Sequence, residues 1–95
     1  MDKIRTPDVE NLLLVLSRVN SKDECYKLLM DMCTIKEIKD MAQRLETARL
    51  LNEGKSYNEI VEKAGPSSAT ISRVNRCLQY GEGGYKAALG YLTKE

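Results

Sequence analysis

Residues 54–80, GKSYNEIVEKAGPSSATISRVNRCLQY, read as two helices joined by a tight turn. Ser56 and Glu59 have the spacing of a capping box, in which side chains and backbone N–H groups satisfy one another reciprocally. Ile60, Val61 and Ala64 follow as an apolar face. Gly65 stands where a helix ends on a left-handed residue, a conformation glycine adopts without a Cβ clash. Pro66 lacks an N–H and has a bulky ring, so it stops the first helix. Ser67 is placed to cap the second. Ile71, Val74 and Leu78 then fall on one face, at i, i+3 and i+7.

Two short helices must cross tightly to bury these faces, with Ala64 as the small residue at the crossing. Ser67, Ser68, Ala69, Thr70, Ser72 and Arg73 are then left facing outward near the start of the second helix. These side chains are short, mostly polar and free of negative charge. In a helix-turn-helix, the start of the second helix enters the major groove of DNA. The stretch therefore predicts a helix-turn-helix, with an ordinary helical hairpin as the plain alternative. Lys55 just before the first helix, Asn58 and Lys63 on it, and Arg76 are phosphate candidates. Ser67 to Arg73 would face base edges.

The rest of the composition sets bounds. A chain of 95 residues makes one small domain, read here as 1–95. It has no Phe and no Trp, so Leu, Met, Ile and Val must fill its core. Cys25, Cys33 and Cys77 lack C-x-x-C spacing and His is absent, so neither a zinc site nor a disulfide framework is expected. No signal peptide or membrane-length apolar run is visible, which predicts a cytoplasmic protein with no membrane partner. Net charge is +1, but it is unevenly placed. Residues 54–80 carry four basic and two acidic groups, and Ser67–Tyr80 carries Arg73 and Arg76 and no acid. The positive excess sits on the proposed reading helix, as nucleic-acid binding requires.

Going outward from the central stretch, residues 1–5 look frayed. Thr6-Pro7 then reads as an N-cap followed by proline at the first helical position, with Asp8 near the positive helix end. Val9, Leu12, Leu13, Leu16 and Val19 form a helical stripe, and Leu14 and Val15 add apolar surface beside it. So small a chain has little to cover such a helix, which predicts a homodimer. The alternative is a helix sandwiched inside one subunit. Ser21 with Glu24 forms a second capping box, before a helix lined by Cys25, Tyr26, Leu29, Met30 and Cys33. Thr34 with Glu37 forms a third and opens a spine of about nineteen residues, reaching ~28 Å. Ile38, Met41, Ala42, Leu45, Ala48 and Leu51 mark its expected buried face. After the spine, which ends at Gly54, the dimerisation helices (6–53) give way to the helix-turn-helix (54–80). Gly81-Glu82-Gly83-Gly84 makes a joint, and Tyr85, Ala88, Leu89 and Leu92 give a last helix over 84–94, packed on the core or on a partner. The fold class is all-α, with six helices.

Several stretches between Leu28 and Leu92 resemble the Trp repressor family. They are Cys33-Thr34, Gln43-Arg44-Leu45, Leu50-Leu51, Gly54, Ser56 with Glu59, Gly65, and above all Ala69-Thr70-Ile71-Ser72-Arg73. The chain looks like the Trp-repressor-like bacterial branch rather than the repressor itself. The resemblance implies an intertwined dimer that binds pseudo-palindromic double-stranded DNA. It also implies a ligand site between spine and reading helix, where tryptophan fixes the helix angle. Arg44 and Arg73 match the arginines that flank the amino acid, and Thr34 matches the threonine that helps hold it. A glycine of the family is replaced here by Val74, a serine by Cys77, and the turn before Gly65 is one residue shorter. Val74 adds bulk where the ligand needs room, so L-tryptophan is not expected as a cofactor. Short reading-helix side chains would work through water bridges or contacts to thymine methyl groups, the water-mediated route being what the resemblance to the Trp repressor family implies.

The predicted function is a sequence-specific DNA-binding transcriptional regulator, a repressor by family, acting as a homodimer. The rival is an all-α dimeric protein-interaction module using the same helix pair without DNA. For Arg44 the plain alternative to ligand binding is a salt bridge to Asp40 or Glu37. Ser67, Ser68 and Thr70 have no basic partner to activate them, so no enzyme is expected.

Overall fold

The computed structural model describes residues 3–92. Among these there are six helices and no strand. They are α1 (Pro7–Arg18), α2 (Lys22–Met32), α3 (Ile35–Asn52), α4 (Tyr57–Ala64), α5 (Ser68–Tyr80) and α6 (Gly84–Leu92). The chain divides into two compact units, Met1–Ile35 and Lys36–Glu95.

In the first unit, local chemistry differs from expectation at both helix starts. Thr6 occupies the N-cap position of α1, but its hydroxyl donates to the Asp8 carboxylate, and that carboxylate, not Thr6, accepts the Val9 N–H at 3.1 Å. The ionised carboxylate is a stronger acceptor for that N–H than the neutral Thr6 hydroxyl. Of the stretch expected to fray, Met1 and Asp2 lie outside the described residues. Arg5 is held by a bidentate ion pair to Glu10, at 2.6 and 3.0 Å. At α2, Ser21 accepts the Glu24 N–H at 3.1 Å, while the Glu24 carboxylate accepts the N–H of Asn20 at 3.4 Å, one residue before the cap. Neither α1 nor α2 contains a buried residue.

In the second unit, α5 packs closely against both α4 and α6 and shares both apolar clusters with α3. Leu50 clusters with Ile60 of α4 and Ile71 of α5, with Ala64 packed alongside. Ala48 clusters with Val74 and Leu78 of α5 and Leu89 of α6, and Leu51 touches both groups. The buried arc of α3 is therefore wider at its C-terminal end than one stripe predicts, and it takes in Thr47 and Leu50. Met41 and Ala42, expected on the buried face, are exposed, because the clusters lie beyond them along the helix. Thr47 is fully buried, and its hydroxyl donates to the Gln43 carbonyl at 2.7 Å, so burial leaves it satisfied.

The helix-turn-helix follows its sequence closely. The Ser56 hydroxyl accepts the Glu59 N–H at 3.2 Å, and the Glu59 carboxylate accepts the Ser56 N–H at 2.8 Å. Gly65 caps α4 at φ 75°, donating to the Val61 carbonyl at 3.0 Å. Val61 itself is exposed, since it sits about 100° around the helix from buried Ile60. Pro66 is buried, and Ser67 caps α5 by accepting the Thr70 N–H at 3.1 Å. At the end of α5 the Cys77 carbonyl approaches Gly81 so closely that a Cβ there would lie 2.4 Å from it. Only glycine fits that exit. In α6, Leu89 is buried against α5 and α3, whereas Leu92, expected on the same face, is half exposed. The expected end of that helix at residue 94 lies outside the described residues.

Candidate nucleic-acid interface

The first turn of α5 presents Ser67, Ser68, Ala69, Ser72 and Arg73 to solvent, with Arg76 exposed one turn further on. Thr70 is different. It is half-buried, its hydroxyl accepts from the Ser67 hydroxyl at 3.1 Å, and it faces a cleft beside the helix. The Ser67 and Thr70 hydroxyls thus lock each other. On α4, Asn58 and Lys63 are exposed, and Lys55 is half-buried just before the helix.

Charge around this surface is sorted by pairing. On α3 the Arg49 guanidinium forks onto Glu46 at 2.7 and 2.9 Å and reaches Glu53 at 2.6 Å. The Arg49 hydrogen bond holds the Glu46 carboxyl below the usual glutamate range, and the pairing tightens the guanidinium's own proton. The Ser56 backbone N–H likewise holds Glu59 below its usual range. The acids near the helix pair are thus mostly engaged. Lys55, Lys63, Arg73 and Arg76 make no ion pair among the described residues.

Next to α5 lies a cleft of about 550 Å³. Its walls are Lys36, Asp40, Gln43 and Arg44 from α3, Thr70, Arg73, Val74 and Cys77 from α5, and Tyr85 from α6. The structure therefore brings Arg44 and Arg73 to one cavity. Thr34 is not among its walls. Asp40 accepts from Lys36 at 2.8 Å, which raises the lysine's affinity for its proton, and the salt bridge weighed for Arg44, to Asp40 or Glu37, does not form. Arg44 makes no ion pair among the described residues. Two unpaired guanidiniums lining one cleft suit a carboxylate or phosphate, which each can grip with a planar fork of donors.

Lys36, Gln43 and Tyr85 were not among the predicted site residues. A signal existed for the α3 members: residues 36, 40, 43 and 44 share one helical face. Nothing local marks Tyr85, whose place depends on how α6 folds back. All three cysteines are free thiols. Among the described residues no group of His, Cys, Asp and Glu is arranged to hold a metal, and no helix is long and apolar enough to cross a membrane.

With the helix pair and its cleft in place, comparison with known proteins is decisive. The family described as Trp repressor protein matches residues 8–93. This chain belongs to the Trp repressor family. It is 46% identical over 89 residues to the uncharacterized protein YerC of Bacillus subtilis strain 168, covering 94% of this chain and 86% of that protein. Among solved structures, a TrpR-like protein from Eubacterium eligens ATCC 27750 superposes with a TM-score of 0.90 at 43% identity, covering 97% of this chain and 95% of the other. A Trp repressor candidate from Staphylococcus aureus gives 0.89 at 35% identity, over 98% and 93% of the two chains. The all-α, six-helix Trp repressor fold expected from the resemblance is the fold of this chain.

Proposed function

We propose that this Trp repressor family member is a sequence-specific DNA-binding regulator, acting as a homodimer through α4 and α5. The observation that carries the reading is the first turn of α5: short, acid-free and exposed, with Arg73 and Arg76 unpaired beside it. An exposed helix start with free backbone donors and nearby guanidiniums is suited to phosphates and base edges. Arg73 with Ser68, Ala69 and Ser72 faces the bases. Lys55, Asn58, Lys63 and Arg76 hold the backbone. Ser67 and Thr70 shape the turn and offer their remaining hydroxyl capacity.

The homodimer is supported by α1, whose apolar side chains from Leu12 to Leu16 stay about half exposed in one chain. The cleft beside α5 is a site for a small anionic effector, gripped by Arg44 and Arg73, and Val74 argues against L-tryptophan as that effector. Selection of bound sequences from random duplex DNA, followed by titration at several salt concentrations, tests the DNA reading. Enrichment of a two-fold symmetric sequence is expected. Absence of both enrichment and salt dependence would favour the protein-interaction module instead.

A further inference from the structure

Gln43 faces two ways. Its side chain forms part of the cleft wall, and its amide nitrogen donates to the Ala64 carbonyl at 3.1 Å, across 21 positions of sequence. Ala64 is the last residue of α4, so its carbonyl is one of those a helix end leaves without an intrahelical partner. The next residue, Gly65, already spends its N–H on Val61, and Pro66 has none to give. A methyl built on Gly65 would stand 4.0 Å from the same Gln43 nitrogen, so amide and turn are also in contact.

Apolar contacts also hold this turn to α3, through Ala64, Leu50, Ile60 and Ile71. Apolar packing fixes how close the turn sits, but it is not directional. A hydrogen bond weakens steeply when its angle is spoiled, so it fixes rotation as well. Two residues separate Gly65 from the start of α5, and one of them is a rigid proline. The direction of the first turn of α5 therefore depends on how Ala64 and Gly65 are held. Gln43 itself is half-buried on α3, where the buried Thr47 hydroxyl bonds to its carbonyl.

We propose that Gln43 is a positioning residue for the reading helix: its bond to Ala64 sets the angle of α5. The role in DNA recognition rests on the function proposed above, whereas the control of the turn does not.

Two variants test it. Gln43→Met keeps length and helix propensity but has no donor. Gln43→Asn keeps the amide but is one methylene too short to reach. Hydrogen exchange on the free protein reads the turn directly. In both variants the backbone amides of Gly65, Thr70 and Ile71 are expected to exchange about tenfold faster, with α6 unchanged. Fluorescence anisotropy then compares the duplex selected by the wild type with a mixed-sequence duplex. The ratio of the two affinities is expected to fall about tenfold, with mixed-sequence binding and its salt slope retained. A merely structural role would lower both affinities together, and that result overturns the proposal. Unchanged exchange at the turn in both variants also overturns it. A wild type that binds no duplex defeats the DNA reading alone, and exchange then decides the role of Gln43 in the turn. If the Met variant fails to fold, the Asn variant carries the same comparison.

Discussion

Val74 is 2% exposed and packs with Ala48, Leu78 and Leu89, while also forming part of the cleft wall. One side chain thus serves the core of the helix pair and limits the room beside Arg73. Replacing it with glycine removes a buried apolar side chain, worth about 1.5–3 kcal/mol, and adds a helix penalty of about 1. Val74→Gly is expected to lower the denaturation midpoint accordingly, and to open space for an indole ring. Isothermal titration of L-tryptophan should show no binding to the wild type at millimolar ligand and measurable binding to the variant. Heat of binding from the wild type would refute the assignment of Val74 as the excluding residue. The arginines divide differently. Arg73→Ala should weaken binding to the selected duplex by about 1–3 kcal/mol, with little effect on mixed DNA, whereas Arg76→Ala should weaken all duplexes alike and reduce the salt slope by about one. Anisotropy titrations across salt separate the two. Thr70, grouped with these by sequence spacing, sits half-buried against Ser67, so Thr70→Ala should act on helix order first.

The helix boundaries were legible wherever a signal acts over three or four residues. Ser56 with Glu59, Gly65 and Ser67 do in the structure what their spacing predicts, because a cap is completed within one turn of chain. Thr6 shows the limit of such reading: its position is right, but the Asp8 carboxylate takes the Val9 N–H that the Thr6 hydroxyl was placed to accept, and spacing alone does not rank two local acceptors. The buried side of α3 was less legible for a different reason. A single apolar stripe describes a helix with one neighbour, and α3 meets both Ile60 and Ile71 on one side and Val74 and Leu89 on another. The cleft suffered the same loss, since Tyr85 reaches it only through the return of α6. For the α4 cap a direct test is available. Ser56→Ala should cost about 1 kcal/mol, read from urea denaturation. Glu59 and Glu46 add a pH dependence whose sign is fixed. Both carboxyls are held below their ordinary value of 4.5 in the folded protein, so their contribution is present above that pH and is lost as pH falls through the lowered values. The unfolding midpoint should therefore drop on acidification below about pH 4.5, and less so in Glu59→Gln.

At the scale of the whole molecule, the two ends of the sequence differ in how well they are covered. The second unit buries Ala48, Leu50, Ile60, Ile71, Val74, Leu78 and Leu89, whereas α1 buries nothing. From Leu12 to Leu16 five consecutive apolar residues are between 37 and 51% exposed in the single chain. Each large aliphatic side chain gains about 1.5–3 kcal/mol when fully buried, so half-covering five of them leaves several kcal/mol to be recovered. A net charge of +1 offers little repulsion against association. A second copy of the chain brings the same uncovered helix, and a closed two-fold arrangement lets each α1 be covered without leaving a free apolar face. The proposed homodimer should then gain about 1.4 kcal/mol of unfolding stability per tenfold rise in protein concentration, visible as an upward drift of the thermal midpoint. Leu13→Glu would place a charge without a partner in the buried seam, and should abolish the dimer together with that drift. Light scattering at micromolar protein gives the most direct check. A wild type with the mass of one chain and a midpoint independent of concentration would show that α1 is covered within the monomer, and the two-fold reading of DNA would have to be given up with it.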